Sequence, residues 1–122
     1  VFLGIGENTH VAFNDPHVAD FNDPVMVKIV DLDEKNRWQQ VDPDDPSCFN
    51  HIEEVPTHAI TLTVPALFES DYAYAIAPGE KKADAIYHTL TSDIQEKYPS
   101  TIFRKHGNAV LFIDEKSAAK LA

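Results

Sequence analysis

The chain has 122 residues and a net charge of −10, from 20 acids against 10 bases. That length suits one domain with a core of its own, and the apolar and charged fractions, 43% and 25%, are those of a globular protein. So acidic a chain repels nucleic-acid phosphates and anionic lipid surfaces, which argues against nucleic acid and membrane as partners, and the sequence has neither an apolar run of membrane-spanning length nor a signal peptide.

Val1 to Ile5 reads as a buried strand closed by Gly6. The chain opens inside this apolar run without an initiator Met, which reads as a cut end. Glu7 to Asp23 is polar and loop-like. Val25 to Leu32 is a second strand, and Asp33 is placed to cap a short helix through Gln40. Val41 to Pro56, with Pro43, Pro46 and Pro56, is the longest irregular connection, and such loops are often functional. Its single cysteine, Cys48, excludes an internal disulfide and fits a reducing, cytoplasmic compartment. Ala59 to Val64 is a β-branched strand, with Pro65 opening a short helix to Ser70. Tyr72 to Ala77 is another strand. After Pro78-Gly79 a helix runs from Glu80 to Leu90, with Ala83, Ile86, Tyr87 and Leu90 on its apolar face. Pro99 to His106 forms a short helix stopped by Gly107, Ala109 to Ile113 is the last strand, and Asp114 caps a terminal helix holding Ala118, Ala119 and Leu121. Strands alternating with helices predict an α/β fold, a mostly parallel sheet flanked by helices, with residues 1–122 as a single domain. Ligands bind such sheets at the carboxyl ends of the strands, which directs attention to the loops after Ile5 and Ala77.

The first of these loops places Asn8, His10 and Asp15 within a few residues of one another. An imidazole both gives and takes protons near neutral pH, and an adjacent carboxylate fixes its tautomer and stabilises its cation. Gly4 and Gly6 leave room for a ligand to approach the backbone. The bland alternative is a histidine that merely ties the loop. His17, His51, His58, His88 and His106 are scattered, and none completes a metal-ligand spacing. In the second loop, Lys81 and Lys82 fall in the first turn of a helix, where cations oppose the helix dipole unless an anion sits nearby.

The run Gly4-Ile-Gly-Glu-Asn-Thr-His-Val-Ala-Phe-Asn-Asp-Pro16 closely resembles the signature of the glucosamine-6-phosphate deaminase/isomerase family, Gly-x-Gly-x-Asp/Asn-Gly-His-Ile-Ala-Phe-Asn-Glu-Pro. The resemblance continues through Val55 to Thr63 and Pro78 to Ala83, into the strand after His106, and so covers essentially the whole chain. The related 6-phosphogluconolactonases share the Gly-His but not the Ala-Phe-Asn-acid-Pro that follows. The resemblance implies a Rossmann-like fold and a reaction in which a phosphorylated amino sugar and water give a ketose phosphate and ammonia, with no cofactor and no metal. It makes His10 the group that opens the sugar ring, Asp15 its acidic partner (one methylene shorter than the family's Glu), and Asn8 the third member of the relay. Lys82 falls on the phosphate-binding lysine. A second basic ligand, an arginine, aligns with Gln40, and Arg37 lies one turn earlier. Thr9 stands where the family has Gly.

The family's phosphate-cradling loop and the aspartate that abstracts the C2 proton have no match in residues 1–122. The chain is therefore read as the C-terminal half of a deaminase, inactive alone. Its partner is the missing N-terminal half, and its first strand is an orphaned edge prone to pairing with another copy as a homo-oligomer. Two other readings remain: a lactonase-like sugar-phosphate hydrolase, and a non-catalytic sugar-phosphate sensor.

Overall fold

A computed structural model describes residues 1–121. Its first sheet is parallel, in the order β1 (Phe2–Gly4), β4 (Ala73–Ile76), β5 (Ala109–Phe112). The antiparallel pair β2 (Val27–Asp31) and β3 (His58–Leu62) forms a separate ladder, so the strands do not all join one sheet. Between these two strands lies α1 (Glu34–Gln39). Then come α2 (Val64–Phe68) and α3 (Ala83–Thr91). Tight 3-10 turns span Ile52–Glu54, Glu80–Lys82 and Pro99–Lys105.

The caps follow side-chain chemistry. Asp33 accepts a hydrogen bond from the Asn36 backbone N–H at 2.7 Å and opens α1, as the sequence predicts. Thr63 caps α2 through the Ala66 N–H, which puts the helix start at Val64, one residue before Pro65. The helix expected from Glu80 begins with a 3-10 turn, and α3 proper starts at Ala83. Its buried face is Ala83, Ala85, Ile86 and Thr89, while Tyr87 and Leu90 stand partly in solvent. The expected terminal helix is not an α-helix: residues 115–120 form turns. Asp114 keeps a cap-like role there, accepting from Ser117 N–H, and it also accepts from Gly79 N–H across the β4–α3 turn.

Two apolar clusters flank the loop after β1. Ile5, Ala77, Ala85 and Ile86 join the parallel sheet to α3, with Ala75 and Leu111 packed against them. Val11, Ala19, Val64 and Leu67 pin the loop itself against α2. The strand at the N-terminus is not buried as the sequence suggests. Phe2 is 77% exposed, and β1 pairs only with β4 among the described residues. Alternation explains this: Ala75 packs toward α3 and Leu3 toward α2, while Phe2, Tyr74 and Phe112 form an aromatic row on the opposite face, with centroids 5.4 and 6.3 Å apart. Parallel sheets are covered on both faces in complete folds, and here one face is open.

Candidate active site

The loop leaves the carboxyl end of β1 and turns sharply back on itself. Gly6 N–H donates to His10 O at 2.9 Å, and Thr9 N–H donates to Gly6 O at 2.9 Å. This fold-back lays the His10 imidazole flat against Gly6, where a Cβ would occupy the ring's own space. Gly6 is therefore required for the histidine's position, and the room expected there for a ligand is filled by the ring. Gly4 carries no such demand: a Cβ there would meet only Ile76 O, at 3.9 Å. Thr9, at the family's glycine position, sits at φ +73°, a left-handed conformation that is costly for a β-branched residue. Its hydroxyl is buried without a partner.

Behind the ring, the three residues singled out in the sequence come together. His10 Nδ1 lies 2.6 Å from Asn8 Oδ1 and 3.2 Å from Asp15 Oδ1. Both are acceptors, so Nδ1 carries a proton, and in the neutral ring the lone pair is on Nε2. The closest partner of the imidazole is thus the amide oxygen of Asn8, with the carboxylate second. Asn8 Nδ2 donates to Asp15 Oδ1 at 2.9 Å and to Asp33 Oδ2 at 2.6 Å. Asp15 is fully buried. Burial opposes its ionisation, but hydrogen bonds from His10, Asn8 and the Asp33 amide, with the charge of His10, hold its carboxyl below the ordinary aspartate value. Asn14, also fully buried, ties the loop to β3 by donating to Leu62 O at 2.7 Å.

In front of the ring, His10, Gly4, Gly6, Ala12, Gln39 and Lys82 line one cavity of about 180 Å³. Lys82 reaches it because Gly79, at φ +94°, turns the chain out of β4 and into the 3-10 turn. Burial pulls the Lys82 ammonium below its ordinary value, and Glu7 opposes this in part. Among the described residues no carboxylate forms an ion pair with it. Lys81 points into solvent. Neither Gln40 nor Arg37 lines this cavity. Arg37 donates to Ile52 O and Val55 O at 2.9 and 3.2 Å and so clamps the long loop instead.

Three residues that the sequence reading did not group, Asp15, His17 and Asp33, bring potential ligand atoms within 4.8 Å of one another. Both oxygens of Asp15 and of Asp33 already accept hydrogen bonds, from Asn8, Asn36 and the Asp33 amide among others. The site residue that reading missed altogether is Asn36. Its one signal in the sequence is an asparagine in mid-helix, where it is a weak helix former.

No protein-family model matches the chain. A glucosamine-6-phosphate deaminase from Clostridium botulinum (strain Alaska E43 / Type E3) is 35% identical over 119 residues, 98% of this chain and 45% of that protein. The chain matches the C-terminal half of glucosamine-6-phosphate deaminases. It spans less than half the length of the curated deaminases it matches, between 41% and 46%. Among solved structures, a monomeric glucosamine-6-phosphate deaminase superposes with a TM-score of 0.83 at 28% identity, covering 97% of this chain and 46% of that one. The 6-phosphogluconolactonase of Trypanosoma brucei superposes with a TM-score of 0.70 at 18% identity, over 100% of this chain and 41% of that one, which is a likeness of fold. No helix among the described residues is long and apolar enough to cross a membrane.

Proposed function

We propose that this chain carries the ring-opening and phosphate-binding side of a glucosamine-6-phosphate deaminase, which converts glucosamine 6-phosphate and water to fructose 6-phosphate and ammonia. The observation that supports this reading most is the single cavity shared by His10 and Lys82, with Asn8 and Asp15 backing the imidazole. His10 Nε2, the free nitrogen, takes the proton of the C1 hydroxyl as the bond between C1 and the ring oxygen breaks. The C1 oxygen becomes the aldehyde, and the same nitrogen returns a proton to the ring oxygen, which leaves as the C5 hydroxyl. Between the two transfers the imidazolium faces the Asp15 carboxylate, while Asn8 holds the tautomer. A desolvated ammonium without a carboxylate partner suits the 6-phosphate, which assigns Lys82 to substrate binding.

The base that removes the C2 proton matches no residue here and belongs to the half that the relatives carry in addition. The chain alone is then expected to release no ammonia. Turnover by the isolated chain at an ordinary enzymatic rate, about 1 per second or faster, contradicts that division of labour. The test of the site is the longer protein, assayed for ammonia release and for lactone hydrolysis, as wild type and as His10→Ala. The expected result is ammonia release with kcat lowered roughly 10²–10⁴-fold in the variant. Lactone turnover without ammonia makes the protein a hydrolase. Binding of the sugar phosphate without either reaction makes it a sensor.

A further inference from the structure

Asn36 is the buried side chain of α1, 2% exposed, and it points at the loop rather than at the apolar core. Its Nδ2 donates to both oxygens of Asp15, at 3.0 and 3.2 Å. Its own Oδ1 accepts from Gln40 Nε2 at 3.2 Å, so the amide cannot turn over without losing contacts on both sides. Asp15 Oδ2 also takes the Asp33 backbone N–H at 2.9 Å. Asn36 therefore bridges both oxygens while the Asp33 amide holds Oδ2, with Oδ1 turned toward His10 Nδ1.

We propose that Asn36 is a positioning residue for His10: its amide fixes the Asp15 carboxylate against the imidazole, so that the head of α1 sets the proton affinity of the cavity-facing nitrogen. The effect on the imidazole stands on the geometry alone, and only its consequence for turnover rests on the deaminase reading. With Asp15 at zero exposure, water does not replace a missing donor, and a carboxylate that loses Asn36 keeps Asn8 on Oδ1 and the Asp33 amide on Oδ2 but loses the one donor that bridges both oxygens. The other charged groups near this pair are His17 in the same loop, Asp33 at the head of α1, and Lys82 at the cavity, with Glu7 acting on Lys82. All of them stay in place when position 36 is changed.

The test is the pH titration of the His10 ring resonances by NMR in this chain, as wild type, Asn36→Asp and Asn36→Ala. A side chain that only fills space predicts a His10 titration in Asn36→Ala that superimposes on wild type, whereas loss of a positioning donor moves the midpoint down as the carboxylate leaves Nδ1. In Asn36→Asp the introduced carboxyl first shares a proton with Asp15. When that proton leaves, a second negative charge bears on the imidazole and moves the His10 midpoint up by about one pH unit. In Asn36→Ala the Nδ1–H resonance is expected to broaden through exchange while the rest of the spectrum stays dispersed. In the longer protein, Asn36→Ala should lower kcat about tenfold with KM held within about twofold. Unchanged His10 titrations in both folded variants overturn the proposal. Shifted titrations in a protein that releases no ammonia leave Asn36 in its role and remove the deaminase reading instead.

Discussion

Residues 6–16 and residues 41–56 are both polar, irregular and rich in acids, yet they behave as opposites. In the first loop Thr9, His10, Asn14 and Asp15 are all buried, and the side chains of Asn14 and Asp15 bond across to β3 and α1. In the second, Val55 is the only buried residue, and Asp42 and Asp45 bond the backbone two residues on, in turns of their own. Arg37 fastens that loop from outside. The longer loop is the one that length marks as functional, yet none of its residues lines the cavity of His10 and Lys82. What separates a site loop from a connector is where its carboxylates spend their hydrogen bonds: across elements in one, on their own amides in the other.

The largest effect that breaks the first loop should come from its smallest side chain. Gly6→Ala puts a methyl group where the His10 ring lies, so the ring must leave Asn8 and Asp15. In the longer protein kcat should fall as far as in His10→Ala, roughly 10²–10⁴-fold, and steady-state kinetics on the two variants check it. A Gly6→Ala enzyme with near-normal kcat would show that the ring is mobile. Asp44→Ala in the second loop is the counterpart and should leave both kcat and the denaturation midpoint where they are.

Next in size is Asp15→Asn, which sets a second amide against Asn8 and Asn36 in a place without water. It should cost about 3 kcal/mol at neutral pH, the low end for breaking a buried charged network. The folded-state carboxyl of Asp15 is held below the ordinary aspartate value, so its contribution is complete above the unfolded aspartate value, about pH 4, and fades as pH falls through the lower folded value. Denaturant unfolding of both forms from neutral pH downward should therefore show the gap closing only in acid. A gap independent of pH would mean that the carboxylate's charge is not what the site holds.

The smallest effect has the opposite sign. Thr9→Gly relieves a left-handed backbone and removes an unpartnered hydroxyl, against the entropy glycine loses on folding. The net gain should be about 1 kcal/mol, read as a raised denaturation midpoint. A loss instead would assign Thr9 a packing role that outweighs its strain.

Much of this site is legible in the sequence because its residues are neighbours. Asn8, His10 and Asp15 lie in one eight-residue run, and the left-handed turn at Thr9 is foreshadowed by the glycine expected there. The parallel arrangement of β1, β4 and β5 follows from strands alternating with helices. The exposure of Phe2 was hidden because an all-apolar run carries no sign of which face is covered. The separate β2–β3 ladder was hidden as well, since alternation fixes faces and not partners. Asn36 was invisible for another reason: it meets Asp15 across 21 residues, and nothing local links a mid-helix amide to a loop carboxylate. Arg37 shows the converse, a cation near the expected phosphate ligand that the fold commits to carbonyls of another loop.

If His10 and Lys82 face one sugar phosphate, binding tests it more sharply than turnover. Titration calorimetry on the longer protein would give Kd for a non-reactive sugar phosphate with wild type, Lys82→Ala and Lys81→Ala, at low and high salt. Lys81 is the internal control, since its loss removes the same charge from the next residue without touching the cavity. Loss of a charge-assisted contact of roughly 1.5–3 kcal/mol predicts Kd weakened about one to two orders of magnitude in Lys82→Ala, and nearly unchanged in Lys81→Ala. Salt should weaken wild type more than Lys82→Ala, because the screened contact is already gone there. Equal and small losses in the two variants would contradict the claim, for the cavity beside His10 would then not be where the phosphate binds.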